Sequence, residues 1–285
     1  MTFQRPDRVR AVLAFALCLL APPLARAADF FFLQMSDPQF GMYANNRNFA
    51  QETANFEFAI ATANRLRPAF VVVCGDLINK TGDPAQAAEY RRIASQLNPD
   101  IPIYNVAGNH DVGNDPTPES LAAYRKRFGQ DHYTFHAPDF EGIVLDSSLI
   151  QHPEKAPREA QKQERWLEDE LRKAKQSAES RIVVFQHIPW FLEKAGEPDQ
   201  YFNIPLATRQ NYLALFARYG VHDVFAGHYH RNAYGETPDL RVTTTGPVGR
   251  PLGPDPSGIR VVKVSAAKIE SRYYGLGNLP NQIEP

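Results

Sequence analysis

Five times along this sequence a short run of β-branched and aromatic residues ends abruptly in acidic, amide or imidazole side chains. Phe30–Met35 runs into Ser36-Asp37-Pro38-Gln39, Phe70–Cys74 into Gly75-Asp76, and Ile103–Val106 towards Gly108-Asn109-His110-Asp111. Further on, Ile182–Phe185 runs into Gln186-His187 and Val221–Phe225 towards Gly227-His228-Tyr229-His230. Helix-length patterns separate these runs, at Phe49–Leu66, Pro84–Leu97, Pro118–Phe128, Arg158–Gln176 and Ala207–Tyr219, with one more strand expected at Gly142–Leu145. Strands alternating with helices predict an α/β fold around a largely parallel sheet. In such sheets the polar strand ends gather on one face. The tail reads differently: Val242–Thr245, Ile259–Ser265 and Lys268–Tyr274 lack intervening helices, which predicts an antiparallel part. The Arg158–Gln176 helix is mostly charged, and reads as a solvated cover resting on Trp166, Leu167 and Leu171.

Charge and the N-terminus narrow the setting. Lysine and arginine number 31 against 32 acidic residues, a net of −1. A chain so balanced lacks the basic surplus of nucleic-acid binders, so no nucleic-acid partner is expected. Arg5, Arg8 and Arg10 precede an unbroken apolar run from Ala11 to Ala21, shorter than the about 20 residues that span a bilayer. Pro22-Pro23 ends the run, and Ala25-Arg26-Ala27 supplies a cleavage pattern. Residues 1–27 are therefore expected to be a secretory signal cut near Ala28, giving an exported, periplasmic or secreted product with no stable membrane anchor. Four arginines and one aspartate leave with that segment, a net of +3, and the remaining chain carries −4. Cys18 leaves too, so Cys74 stands alone and no internal disulfide can form. One domain is expected over residues 28–285, because a boundary between Asp37 and His230 would divide the strand-end set. Nothing in the composition points to an oligomeric state.

Brought to one face, Asp37, Gln39, Asp76, Asn109, His187, His228 and His230 make an oxygen and imidazole donor set without thiolate. Such donors suit Mn²⁺, Fe²⁺ or Zn²⁺, and seven are too many for one ion, so two divalent metal ions are expected. Singly, several segments have plainer readings: Asp37 and Gln39 as a turn residue and a surface amide, Gly75-Asp76 as a cap, His187 as a structural histidine. Gly227-His228-Tyr229-His230 resists such a reading, since histidines at i and i+2 of an extended segment project to the same side.

In this order the five segments resemble the calcineurin-like metallophosphoesterase superfamily over nearly all of the chain beyond residue 27. Ser36 to Gly41, Phe185 to Glu193 and Gly227 to Ala233 are more narrowly similar to its calcineurin-like phosphoesterase-domain branch, also called complete S-transactivated proteins. Animal members of that branch are cytosolic serine/threonine phosphatases. The resemblance implies a four-layer αββα sandwich with metals at the carboxyl ends of the strands. It implies Asp37, Gln39, Asp76 and His230 around one metal and Asp76, Asn109, His187 and His228 around the other, with Asp76 bridging. Hydroxide supplied between the two cations would attack phosphorus in line. His110, the motif histidine not needed as a ligand, is then expected to be the general acid for the departing alkoxide. Asp111 has two readings, a catalytic partner orienting His110 or a turn cap. Asn109 and His110 are expected to contact the phosphate-ester substrate.

Two departures bear on that substrate. Gln39 stands where most members have histidine, and Asp76 is followed by Leu77-Ile78-Asn79-Lys80 rather than by the phosphate-binding arginine of the calcineurin core type. Arg231, Asn45 and Arg250 are candidate replacements, each otherwise an ordinary surface residue. The stretch Pro189–Pro205, with Trp190, Phe191, Tyr201 and Phe202, is expected to wall the site. The expected reaction is hydrolysis of phosphate monoesters, on a phosphoprotein or a small ester. A phosphodiesterase acting on nucleotide or lipid diesters is the alternative. An exported metal- or phosphate-binding protein without turnover is a third reading, against which His110 argues, because a binder needs no acid.

Overall fold

The computed structural model describes residues 1–2, 29–176 and 181–284; the expected signal segment falls outside them save for its first two residues. Strand alternation decides where the layers lie. In β1 (Phe30–Met35) Phe31, Leu33 and Met35 join one buried cluster and Phe32 another. Val71 and Val73 of β2 (Val71–Cys74) join the first, Val72 and Cys74 the second. The period of two thus sends alternate side chains to opposite faces, both dry. With β3 (Ile103–Val106), β10 (Gly258–Val264) and β11 (Ile269–Gly275), these strands form a five-stranded sheet in the order β11-β10-β1-β2-β3. β1, β2 and β3 are parallel, and β10 runs antiparallel to β1 with Phe30 opposite Val264.

A second sheet of six strands orders β4 (Tyr133–Ala137), β5 (Phe140–Val144), β6 (Arg181–Phe185), β7 (Asp223–Ala226), β9 (Arg241–Thr244) and β8 (Ala233–Glu236). Its four inner strands are parallel and its edges β4 and β8 antiparallel. In β6, Ile182 and Val184 face outwards and Val183 and Phe185 face the first sheet.

Three buried clusters separate four layers. On the outer side of the first sheet lie α1 (Ala50–Leu66), α2 (Pro84–Ala94) and α4 (Pro118–Phe128), through Phe56, Ile60, Tyr90, Ile93, Leu121 and Tyr124. Outside the second sheet lie α6 (Pro157–Gln176) and α7 (Leu206–Tyr219), through Leu167, Leu171 and Phe216. Aromatic rings fill the gap between the sheets. Phe32 stacks on Phe70 with centroids 4.6 Å apart and meets Phe185 and Phe225 edge-on at 5.7 and 5.6 Å, offset and T-shaped contacts that ring quadrupoles favour. The architecture is the expected αββα sandwich. No helix among the described residues is long and apolar enough to cross a membrane, and Cys74 is a buried free thiol.

Two expectations change. Val242–Thr245 does not join the other two tail strands: β9 lies in the second sheet, parallel to β7 and antiparallel to the edge strand β8, while β10 and β11 form a hairpin on the first. Under α6 the buried residues are Gln163, Leu167, Leu171 and Ala174, while Trp166 is half-buried with its ring 4.8 Å from that of His132.

Candidate metal centre

The five strand-end segments meet along the edge where the two sheets abut. Asp37, Gln39, Asp76 and Asn109 follow β1, β2 and β3 of the first sheet, and His187, His228 and His230 follow β6 and β7 of the second. Ligand atoms of Asp76, His187 and His228 all lie within 4.8 Å of one another, as do those of Asp37, Asp76 and His230, and every one of these residues is buried. Asp76 belongs to both groups. His187 Nε2 lies 3.2 Å from Asp76 Oδ1 and 3.1 Å from Asn109 Oδ1, and His230 Nε2 lies 3.2 Å from Asp37 Oδ1.

The backbone is bent to achieve this. Asp37, Gln39, Asp76, His228 and His230 have φ of 49°, 40°, 50°, 68° and 53°, the left-handed region that costs a residue with a Cβ about 1–2 kcal/mol and that concentrates at functional sites. The histidine pair therefore reaches the site for a different reason from the one expected: β7 ends at Ala226, and His228 and His230 sit on a left-handed turn, not at alternate positions of a strand. The glycines are steric gaps for neighbouring ligands. A Cβ on Gly108 would lie 2.1 Å from Asp76 N, one on Gly227 1.7 Å from Ser36 Oγ, and one on Gly75, at φ +81°, 2.4 Å from His187 Nδ1.

Each of the three histidines donates one ring N–H to a backbone carbonyl. His187 Nδ1 reaches Cys74 O at 2.8 Å, His228 Nε2 reaches Tyr201 O at 3.0 Å, and His230 Nδ1 reaches Arg250 O at 2.6 Å. Since a carbonyl only accepts, these bonds fix the tautomers and leave His187 Nε2, His228 Nδ1 and His230 Nε2 as lone pairs for a cation. Gln39 is oriented in the same sense. Its Nε2 donates to Asn79 Oδ1 at 3.2 Å, and its buried Oε1 has no hydrogen-bond partner among the described residues. An acceptor so stranded costs about 1–3 kcal/mol, a cost that a cation would remove. Asn109 Nδ2 donates to Asn114 Oδ1 at 2.8 Å and to Tyr201 Oη at 3.3 Å, which turns its Oδ1 towards His187. The residues present fit divalent cations.

Protons balance the charge of the cluster itself. Burial opposes charge on His187, but Asp76 beside it outweighs burial and lifts the imidazole to about 10, so a cation binding at Nε2 would displace a proton from it. Burial likewise opposes ionisation of Asp76 and Asp37, yet His187 and His110 hold Asp76, and His230 holds Asp37, below the usual carboxylate range. His228, desolvated and beside His187, is pushed down to about 4.

The remaining expected residues divide. His110 opens α3 (Asn109–Val112) at its second position; its backbone N–H donates to Asp76 Oδ1 at 2.9 Å and its Nδ1 lies 2.6 Å from Asn79 O. Asp111 does not touch that ring. Its carboxylate accepts from the N–H groups of Gly108, Leu77 and Ile78 at 2.9, 3.1 and 3.1 Å, tying two strand ends together, so the capping reading holds and Asn79, not Asp111, orients His110. Asn109 has both amide hydrogens engaged by Asn114 Oδ1 and Tyr201 Oη. Asn45 is exposed, and it is Asn46 that accepts from Asn79 Nδ2 and Gln86 Nε2 at 2.8 and 2.9 Å. Arg231 lies 4.9 Å from the centroid of Tyr229 and donates to Leu252 O, while Arg250 is exposed and contributes its carbonyl alone. Among the described residues, neither Asn45 nor the Arg231 guanidinium makes a hydrogen bond to a candidate ligand.

The stretch 189–205 also divides. Trp190 and Phe191 are buried in the outer core of the second sheet, whereas Tyr201 and Phe202 stand over His228 with ring centroids 4.9 and 5.5 Å from its own. Asn79 and Asn114 were not singled out from sequence. The first sits three residues after Asp76, where a scan for ligand types passes over a neutral amide.

Fold and site together define a metallophosphoesterase. A family model described as calcineurin-like phosphoesterase matches residues 32–232. The serine/threonine-protein phosphatase CPPED1 of Bos taurus is 39% identical over 265 residues, covering 88% of this chain and 85% of that protein; its Homo sapiens counterpart is 38% identical over 266 residues with the same coverage. Among solved structures, purple acid phosphatase PPD1 from yellow lupin (Lupinus luteus) seeds superposes with a TM-score of 0.66 at 14% identity, over 88% of this chain and 52% of that one, a likeness of fold alone. The chain belongs to the calcineurin-like phosphoesterase family and is a phosphoester hydrolase with a metal-binding His/Asp site.

Proposed function

We propose that this protein is a dinuclear metal-dependent phosphomonoesterase, acting after export on a phosphoprotein or a small phosphate ester. The observation that carries the reading is the pair of buried ligand groups sharing Asp76, with three histidine tautomers fixed by main-chain carbonyls. In this assignment Asp37, Gln39, Asp76 and His230 hold one cation and Asp76, Asn109, His187 and His228 the other. Two such cations, of Mn, Fe or Zn, would supply positive charge against the phosphate oxygens and lower the pKa of the attacking water.

His110 acts at the opposite end of the reaction. With Nδ1–H held by Asn79 O, its other nitrogen, Nε2, carries the proton that passes to the departing alkoxide oxygen. The Asp76 carboxylate, which accepts from the His110 backbone N–H, fixes this ring relative to the shared ligand. The likeness to a protein phosphatase at 39% identity supports monoester over diester chemistry. The arginine-flanked apolar run of residues 1–27 supports export, with residues 28–285 as one domain, and an exported form beginning at Met1 would refute it.

The test is phosphate release from an aryl monoester and from its bis-aryl diester, each with Mn²⁺ added. Faster turnover of the monoester is expected; a diester preference assigns the protein to the phosphodiesterases, and no turnover of either with metal bound leaves a binding protein.

A further inference from the structure

Three features around Asn109 leave a donor without a recipient. Both of its amide hydrogens are taken, one by Asn114 Oδ1 at 2.8 Å and one by Tyr201 Oη at 3.3 Å. Tyr201 Oη, having accepted, still has its own proton, and no acceptor for it exists among the described residues. The positions after Asp76 are Leu77-Ile78-Asn79, so no guanidinium reaches the phosphate from there. The Tyr201 carbonyl takes the Nε2 proton of His228, and its ring lies 4.9 Å from that imidazole. One residue thus touches two candidate ligands, Asn109 and His228, of the same cation.

The loop that carries Tyr201 is held in place by polar groups of its own and by Arg209 of α7. Arg209 is fully buried, and its guanidinium donates to Ile204 O, Ala195 O and Glu197 O at 2.8–3.1 Å. The Glu197 carboxylate accepts from the N–H groups of Leu192, Glu193 and Lys194 and from Asn203 Nδ2. A loop held in this way sets the tyrosine before substrate arrives, the condition under which a hydrogen bond adds most to binding. Tyr201 is nevertheless 57% exposed, an aromatic side chain at the open mouth of a buried polar site.

We propose that Tyr201 is a phosphate-contacting residue, its hydroxyl donating to a non-bridging oxygen of the substrate phosphate where the arginine is absent. The proposal rests on the phosphomonoesterase reading. Tyr201→Phe removes the hydroxyl and keeps both the ring over His228 and the carbonyl that fixes it. Binding of inorganic phosphate to Mn²⁺-loaded protein is measured by calorimetry, alongside bound Mn²⁺ per chain and KM for an aryl phosphate.

A hydrogen bond to a charged group corresponds to about a tenfold change in affinity. The variant is therefore expected to bind phosphate about tenfold more weakly and to raise KM by a similar factor, with Mn²⁺ content as in wild type and a smaller fall in kcat. Phosphate affinity within twofold of wild type overturns the proposal. So does a loss of Mn²⁺ in step with phosphate, which makes the hydroxyl a brace for Asn109. Wild-type protein that holds Mn²⁺ but neither binds phosphate nor turns over an ester overturns the underlying reading, and the proposal with it.

Discussion

Alanine at position 108 probes the tightest contact in the site. Gly108 has φ −107° and ψ 167°, a conformation alanine adopts freely, so any cost of the substitution is steric. The added Cβ would stand 2.1 Å from Asp76 N, 2.2 Å from Asp76 Oδ1 and 2.9 Å from Asp76 Cα. Ordinary contacts of this kind exceed about 3.4 Å, so Asp76 must retreat by roughly 1 Å. Overpacking of this order costs about 1–3 kcal/mol of stability, which a folded chain tolerates. A 1 Å displacement of a group that positions reacting atoms costs about 100-fold in rate, and here the displaced group is the one carboxylate common to both ligand groups. The Gly108→Ala protein should therefore fold, with a melting temperature lowered by several degrees, and lose both bound Mn²⁺ and about 100-fold in kcat/KM. The assay is metal analysis after Mn²⁺ loading and desalting, with phosphate release and a thermal melt on the same sample. Gly277→Ala is the control, because nothing lies within 4 Å of its added Cβ. Wild-type metal content and kcat/KM within threefold in Gly108→Ala would refute the reasoning.

His110→Ala should keep its metal and lose turnover by about 100-fold on alkyl phosphates but far less on aryl phosphates, whose leaving groups need no proton; equal losses on both classes count against the acid role. Arg209→Met removes a guanidinium bonded to three carbonyls and should cost about 2–4 kcal/mol while weakening phosphate binding more than Mn²⁺ binding, which urea unfolding and calorimetry would separate. Asp146 caps α5 (Ser147–Gln151) and is raised from an ordinary 3.8 to about 7 by burial, then by Asp131. Its folded form holds a proton that the unfolded form has lost, so it favours the fold below about pH 4 and that contribution disappears as pH rises to about 7. Asp146→Asn should remove this slope and gain stability at pH 8, by roughly 4 kcal/mol at most. Denaturant curves of both proteins at pH 5 and 8 give the answer, and a difference independent of pH is the contrary result.

Two strands could be read directly, because Phe30–Met35 and Ile103–Val106 are mostly apolar, each with one polar residue, Gln34 and Asn105, and their ends coincide with the observed β1 and β3. Helix starts were legible where chemistry marks them: Asp83 and Thr117 cap α2 and α4 just ahead of Pro84 and Pro118. β4 and β8 passed unseen because they are edge strands with exposed positions, His136 in one and Tyr234 in the other, so their pattern is mostly polar or mixed. The seven ligand candidates were visible as residue types, since carboxylate, amide and imidazole side chains recurring at five strand ends have a plainer use singly but not together. What holds them was not. Cys74, Tyr201 and Arg250 serve the histidines through main-chain carbonyls, which every residue possesses, so no side-chain pattern could announce them. Asp111 stayed open between two readings in the sequence, because adjacency to His110 does not say where a side chain points; the helical turn aims its carboxylate at the amides of Leu77 and Ile78.

The antiparallel pairing of β1 with β10 bears on the order in which the protein can be made. β1 precedes every other strand among the described residues and lies inside its sheet, so the edge that β10 covers stays open until residues 258–264 have been made. The loop just ahead of β10 completes the first ligand segment as well, since Val248 and Gly249 donate their N–H groups to the carbonyls of Ser36 and Asp37. A nascent or truncated chain ending before these residues has every candidate ligand in its sequence but lacks the strand and loop that hold the first of them. Pairing across such a separation is slow, and it makes completion of the hydrolytic centre wait on residues more than 200 positions beyond Asp37. A hydrolase assembled in this order is expected to stay inactive until β10 has been made and has paired with β1.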